Sequence, residues 1–181
     1  MNTNLSHKQI ALSLFENGCQ CAQATLGAFC DRTGLTTEQA MGLAASFGGG
    51  MARMREVCGA LSGVLMAAGL ILAARAPGQG NKDAHYRLTQ YISAQFKQRM
   101  DSIYCYRLLN IPHAAELPIS TPRTPAFFVD RTVCLNAVTT AVEVLDAVLQ
   151  EYEAGTLEEK ISEAAAAEVT AFLNDRSTAN D

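Results

Sequence analysis

The longest uncharged stretch of the chain, residues 57–74, is the feature that most restricts its fold. It contains no Asp, Glu, Lys or Arg, and it is rich in Gly, Ala and Ser rather than in Leu and Phe. A helix that is apolar on all sides belongs either in a membrane or in the centre of a protein. Because the stretch stands alone in an otherwise amphipathic chain and lacks an aromatic belt, we expect a buried central helix and no membrane insertion.

One face of this predicted helix carries only small side chains. Gly59, Gly63 and Ala67 are four residues apart, so they form a row along which the backbone is nearly bare. Close packing against a neighbouring helix is the simpler interpretation of the row. The sharper alternative is that a bulky group or cluster lies beside Cys58, and the same face would also suit a homodimer.

The remainder of the chain also predicts helices. Ser6 and Thr36 are each followed three residues later by Gln, which is a capping-box pattern, and Gly18, Gly34 and Gly155 are helix ends. No stretch alternates with period two for long enough to indicate a strand. We therefore predict an all-α, single-domain bundle of about six or seven helices around the central apolar helix. The expected helices cover approximately residues 6–17, 19–32, 37–46, 55–74, 81–100, 130–154 and 156–173, with a further short helical piece at 103–109.

Length and charge limit the function classes. A chain of 181 residues without a Pro/Gly/Ser-rich linker indicates one domain, residues 1–173, with a flexible tail at 174–181. The net charge of −4 argues against nucleic acid as a partner. The first residues lack the apolar core of a signal peptide, so we expect a cytoplasmic protein, in which six cysteines are not by default a disulfide framework.

A triple glycine leads into the apolar helix. Gly48, Gly49 and Gly50 can take positive φ, so they predict a tight turn. Cys58 would then lie in the first turn of the following helix. The helix N-terminus and the nearby Arg53 and Arg55 favour a thiolate there, whereas Glu56 opposes it, so the sequence leaves the direction of the net effect open.

Cysteines from four separate segments could meet in the fold. These are Cys21, Cys58, Cys105 and Cys134. Together they could form a tetrathiolate site for zinc or an iron–sulfur cluster, or one or two disulfides. Cys19 points about 200° away from Cys21 on a helix and cannot easily serve the same centre. Neither C-x-x-C nor C-x-x-C-H occurs in the chain.

The other chemistry-bearing residues point to no alternative catalytic site. Residues 110–129 contain four prolines and predict an ordered loop, in which His113 is a weak functional candidate. The three histidines lack the i to i+4 spacing of a metal site, and we expect His85 on the surface. Motifs of P-loop, dinucleotide, zinc-protease and G-x-S-x-G serine-hydrolase sites are all missing from the sequence.

The combined pattern resembles a known family. Residues 15–24, residues 47–51, the motif Cys58-Gly59-Ala60-Leu61-Ser62-Gly63, and then Cys105 and Cys134 are similar to the C_GCAxxG_C_C family, named for its four cysteines and its C-G-A-x-x-G motif. The resemblance covers about residues 10–150. It assigns the family's four cysteines to Cys21, Cys58, Cys105 and Cys134, which leaves Cys19 and Cys30 as additional.

Two positions depart from the family's usual pattern. Gln20 stands where Asn is usual before the first cysteine, and the common Gly-Glu-Thr-Cys run is here residues 55–58, Arg-Glu-Val-Cys. The resemblance implies an intracellular helical protein with a redox function, and related modules occur in cytochromes that also carry an iron–sulfur centre. It does not supply the reaction or the redox partner.

Three hypotheses follow. The first is a thiol/disulfide oxidoreductase in which Cys58 exchanges with at least one of Cys21, Cys105 and Cys134, acting on a redox partner or a small molecule. The second is an iron–sulfur or zinc protein with the same four residues as metal ligands. The third is a helical binding module whose cysteines only fill the core.

Overall fold

The computed structural model describes residues 5–73, 82–112 and 131–178, with side chains as far as residue 171. These ranges are helical, apart from turns and one isolated β-bridge, so the predicted all-α class is confirmed. In chain order the elements are α1 (His7–Glu16), α2 (Cys21–Ala28), α3 (Cys30–Thr33), α4 (Thr37–Ala44), α5 (Gly48–Met51), α6 (Gly59–Leu72), α7 (Lys82–Met100), α8 (Cys105–Leu108), α9 (Arg131–Glu153) and α10 (Leu157–Thr178).

Two helix starts follow from local capping. The backbone N–H of Ser6 donates to Gln9 Oε1 at 2.9 Å, and the N–H of Gln9 donates back to Ser6 Oγ at 3.3 Å. Thr36 and Gln39 make the same reciprocal pair at the start of α4, at 2.9 and 3.2 Å. Both predicted capping boxes are therefore confirmed.

The apolar helix α6 lies at the centre of the bundle, as expected. It packs against α2, α7 and α9, and seven of its residues are buried. A Cβ at Gly63 would come within 2.5 Å of the carbonyl oxygen of Ala22 and 2.1 Å of Thr25 Oγ1. At this position the row of small residues allows α2 to cross α6 in close contact, which agrees with the packing interpretation.

Helix α9 supplies the other large apolar surface. In the part of the chain that the structure describes, it is the single helix long and apolar enough to cross a membrane, and half of its apolar window is buried inside the protein. Its acidic residues are tied to other helices: Glu143 binds Lys8 of α1 and Arg99 of α7, and Asp146 binds His7. These contacts identify α9 as a core helix of the bundle.

Several predicted boundaries were wrong. The helix expected over residues 19–32 is divided into α2 and α3 at Phe29, whose side chain is completely buried. Helix α6 begins at Gly59 rather than near Arg55, because Arg53 and Arg55 have φ of 70° and 65°, which a right-handed helix cannot contain. Helix α10 extends past residue 173 to Thr178.

Some predictions concern residues outside the described ranges. The first residues of two expected helices, Asn81 and Asp130, belong to this group, as do His113 and most of the proline-rich loop. The described side chain of His85 is half-buried, and a Cβ added at Gly69 of α6 would lie 3.8 Å from its Cε1, so its expected surface position was wrong. The single-domain division and the flexibility of the tail stay predictions.

Candidate thiol site

Three of the four predicted site cysteines lie where a helix begins. Cys21 is the first residue of α2, and Cys105 is the first residue of α8. Cys58 is the N-cap residue immediately before α6, and not a residue inside the first turn of the helix as the sequence predicted. Cys134 lies within the first described turn of α9. The thiols are therefore held by the turns that precede the helices as much as by the helices themselves.

A short backbone bridge brings two of these cysteines together. Val57 and Tyr104 form an isolated antiparallel β-bridge. On one side of it the N–H of Cys58 donates to the carbonyl of Ile103 at 2.8 Å, and on the other the N–H of Cys105 donates to the carbonyl of Glu56 at 2.6 Å. Because side chains alternate along extended backbone, Cys58 and Cys105 project to the same side of the bridge.

Two glycines make room for the cysteine side chains. A Cβ at Gly59 would come within 2.6 Å of Cys21 Sγ, and a Cβ at Gly50 would come within 2.6 Å of Cys105 Cβ. Gly49 and Gly50 also have φ of 73° and 70°, so the predicted glycine turn is confirmed. The glycine-rich segment and the C-G-A-x-x-G motif thus serve the same cluster of side chains.

Burial dominates the acidity of Cys58. The side chain is buried, and its pKa is raised by desolvation, then by the negative charge that Cys21 and Cys105 would carry as thiolates. The amides of Ala60 and Leu61, in the first turn of α6, lower the pKa without offsetting burial. The sequence did not determine whether Cys58 would be a thiol or a thiolate. In the structure, its environment favours the neutral thiol.

Two more of the four predicted site cysteines, Cys105 and Cys134, have shifted pKa values, and both share Cys21 as a neighbour. The pKa of Cys134 is raised to about 11, first by burial and then by the charges of Cys21 and Cys105, against the lowering effect of Arg55 and Arg131. Burial also raises the pKa of Cys105, which Arg55 lowers and Cys21 raises. A charge on Cys21 therefore affects the other three thiols, so all four predicted residues lie in one cluster.

Arg55 is a site residue that the sequence placed beside the wrong thiol. Its Nη1 lies 3.9 Å from Cys105 Sγ, and its charge lowers the pKa of Cys105 and Cys134. Arg55 has φ of 65°, and it stands where the C_GCAxxG_C_C pattern described above usually has Gly. Glycine is the residue that adopts this conformation most easily. The signal that could have found it is this unusual cation three residues before Cys58.

The two additional cysteines lie apart from the cluster. Cys19 Sγ contacts Met41 Sδ of α4 at 3.7 Å. Cys30 lies beside Asp31 and Thr37, and its pKa is raised mainly by burial and then by the charge of Asp31. All six cysteines are free thiols in this structure. Cys19 precedes the N-cap Gln20 and lies outside α2, so its separation from Cys21 comes from the turn before the helix and not from the helical spacing that the sequence predicted.

The described side chains do not form an evident metal centre. Across residues 5–73, 82–112 and 131–171, no three His, Cys, Asp or Glu side chains are grouped so that they could hold one metal ion. Zinc and iron–sulfur clusters need a closed set of thiolate ligands, which this arrangement does not present. The metal interpretation of the four cysteines therefore stays a prediction without geometric support.

The comparisons with known proteins agree with the arrangement of these residues. The family model described as "Putative redox-active protein (C_GCAxxG_C_C)" matches residues 19–148, a range that includes all four clustered cysteines. No curated protein and no solved structure matches the chain. Because the family model covers well over half of the sequence, the chain belongs to the C_GCAxxG_C_C family of redox-active proteins.

Proposed function

We propose that this protein is a thiol redox protein that exchanges between dithiol and disulfide forms at Cys21, Cys58, Cys105 and Cys134. The observation that carries the proposal is the position of Cys21, whose Sγ lies beside the backbone of Gly59 directly after Cys58 and which would raise the pKa of each of the other three thiols if it were charged. A disulfide requires two sulfurs that can approach each other closely, and Cys21 has three neighbouring candidates.

Exposure suggests which thiol meets the substrate first. Cys58 and Cys105 are buried, whereas Cys21 and Cys134 are half-buried. The pKa of Cys134, raised to about 11, leaves little thiolate at neutral pH, and the thiolate is the nucleophile. We therefore assign the first attack to Cys21, at the start of α2.

The exchange with a disulfide substrate then takes two steps. The Cys21 thiolate attacks one substrate sulfur, a mixed disulfide forms, and the other substrate sulfur leaves as a thiolate and takes up a proton. A second thiol of the cluster loses its proton and attacks the Cys21 sulfur. The internal disulfide forms, and the first substrate sulfur leaves with its electron pair. The protein is oxidised by two electrons and the substrate disulfide is reduced to two thiols.

The substrate class in this proposal is a disulfide carried by a small molecule or by a partner protein. Catalytic cycling would make the protein a thiol/disulfide oxidoreductase and would need a second thiol compound to restore the dithiol. A cytoplasmic location, where such compounds keep thiols reduced, is part of the same proposal.

Thiol counting tests the proposal. Reduced protein, kept free of oxygen, is exposed to glutathione disulfide, quenched in acid, alkylated and analysed by mass spectrometry. We expect two clustered thiols to be lost together from the wild type and an internal disulfide to be absent from Cys21→Ser. Cys19→Ser is the matched control, because it removes a neighbouring thiol outside the cluster, and it should behave as the wild type.

Two results would overturn the proposal. One is that all thiols of the wild type remain titratable after oxidation. The other is bound iron or zinc, at one equivalent or more, in the protein purified without oxygen and lost in Cys21→Ser, which would favour the four cysteines as metal ligands.

A further inference from the structure

Arg55 is held in a backbone conformation that arginine rarely adopts. Its φ of 65° lies in the left-handed region, which is unfavourable for a residue with a Cβ. Two hydrogen bonds hold it there: its N–H donates to the carbonyl of Gly49 at 3.3 Å, and its carbonyl accepts from the N–H of Tyr106 at 2.9 Å. The second bond attaches this loop to α8 directly after Cys105.

This conformation places a guanidinium group beside a buried thiol. Nη1 of Arg55 lies 3.9 Å from Cys105 Sγ in a part-buried position next to the glycine turn, where a Cβ at Gly49 would be 3.9 Å from the same nitrogen. At Cys58, the other buried thiol, the amides of Ala60 and Leu61 lower the pKa that burial raises, whereas at Cys105 the guanidinium of Arg55 does so. The two buried thiols are therefore unequal in their electrostatic surroundings.

We propose that Arg55 directs the second step of the exchange to Cys105, so that the internal disulfide joins Cys21 to Cys105 rather than to Cys58. This inference rests on the proposed function. In this step Cys105 releases its proton to solvent and its thiolate attacks the Cys21 sulfur of the mixed disulfide. The bond between Cys21 and the substrate sulfur breaks, and the substrate thiolate leaves. Arg55 offsets the negative charge that Cys105 carries before the new bond forms.

Three variants separate the charge of Arg55 from its effect on the loop. Arg55→Gly removes the guanidinium and relieves the left-handed conformation, so the fold should be retained. Arg55→Lys keeps a positive charge. Arg53→Gly is the matched control, because Arg53 also has a positive φ, of 70°, and lies two residues away.

The experiment follows a single turnover with glutathione disulfide, with samples quenched in acid and mapped by peptide mass spectrometry. In the wild type we expect the Cys21–glutathione adduct to convert to a Cys21–Cys105 disulfide. In Arg55→Gly the conversion should slow roughly tenfold or more, since a cation at this range shifts a pKa by about 1–3 units, and a Cys21–Cys58 disulfide should increase. Arg55→Lys should retain most of the rate, and Arg53→Gly should match the wild type.

The outcomes distinguish this inference from the proposed function. If no internal disulfide forms in the wild type, the proposed function fails. If one forms but joins Cys21 to Cys58 or Cys134, or if Arg55→Gly and Arg53→Gly give the same rate and the same pairing, the function stands and the role of Arg55 is refuted.

Discussion

The sulfur of Cys21 lies against the backbone of Gly59, the residue that follows Cys58. A Cβ added at Gly59 would come within 2.6 Å of Cys21 Sγ and within 2.6 Å of the carbonyl oxygen of Phe47. Both distances are far shorter than a normal contact, and the carbonyl belongs to the backbone and cannot rotate away. The close approach of the first turn of α2 to the first turn of α6 therefore requires Gly at this position.

Replacing Gly59 by Ala should lower the free energy of unfolding. Overpacking of a tight contact costs about 1–3 kcal/mol, and the better helix propensity of Ala returns at most about 1 kcal/mol. We expect a net loss of about 1–2 kcal/mol in urea denaturation of the reduced protein. Gly42→Ala in α4 is the control, because a Cβ there meets nothing within 4 Å. It should be neutral or stabilising; equal losses in both variants would contradict the contact.

The pair His7–Asp146 should make stability depend on pH near neutrality. The hydrogen bond from His7 Nδ1 to Asp146, 2.5 Å long, raises the pKa of His7 above its ordinary 6.5, against desolvation. The stabilisation is therefore fully present below pH 6.5 and is lost as the pH rises through the raised pKa. In Asp146→Asn we expect a loss of about 1 kcal/mol at mildly acidic pH that shrinks on the alkaline side.

Asp31→Asn is the comparison for that measurement. Asp31 approaches the other ring nitrogen of His7 at 3.2 Å, and its side chain is 60% exposed against 31% for Asp146. Its substitution should therefore have the smaller effect. A loss in Asp146→Asn that does not change with pH would show that the charge of His7 is not involved.

Glu143 should also make stability depend on pH, but with the opposite sign to His7. It accepts a hydrogen bond from Lys8 at 2.7 Å and another from Arg99, and these hold its pKa below the ordinary 4.5. Its contribution is present above that value and is lost as the pH falls through the lowered pKa. Glu143→Gln should cost about 1 kcal/mol at neutral pH in thermal or urea unfolding, and wild type and variant should converge in acid. A difference that persists in strong acid would contradict this assignment.

Alkylation of Cys134 should report its raised pKa. In the folded, reduced protein, the rate of modification by iodoacetamide should keep rising towards pH 11, because burial raises the pKa of this thiol to about 11. In the protein unfolded by urea, the same peptide should show a rate that levels off near the ordinary thiol pKa of 9.0. Peptide mass spectrometry measures both profiles, and a common midpoint would exclude the burial effect.

The parts of the fold that depend on local chemistry could be predicted from the sequence. The helix starts after Ser6 and Thr36 need only a side chain and an amide three residues apart. The break at Phe29 could not be predicted, because it depends on the burial of that ring in the core. The late start of α6 depends on positive φ at Arg53 and Arg55, which their residue type disfavours. At Arg55, hydrogen bonds to Gly49 and Tyr106 maintain this conformation.

The candidate site, like the fold, could be predicted from the sequence only in part. Its four cysteines could be proposed from their spacing and the family resemblance, and the structure brings them together. The position of the Arg55 guanidinium could not be predicted, since it contacts Cys105, which lies 50 residues later in the chain. The raised pKa of Cys58 could not be predicted from the sequence either, because burial raises it by more than the amides of the following helix lower it.

The location of three thiols at helix starts has a mechanical consequence. A sulfur that moves to meet another can draw on small backbone adjustments in the turns before Cys21, Cys58 and Cys105, while the helices behind them keep their mutual packing. In the proposed exchange the helices would therefore act as a rigid frame, and the change on oxidation would be confined to the turns that carry these cysteines.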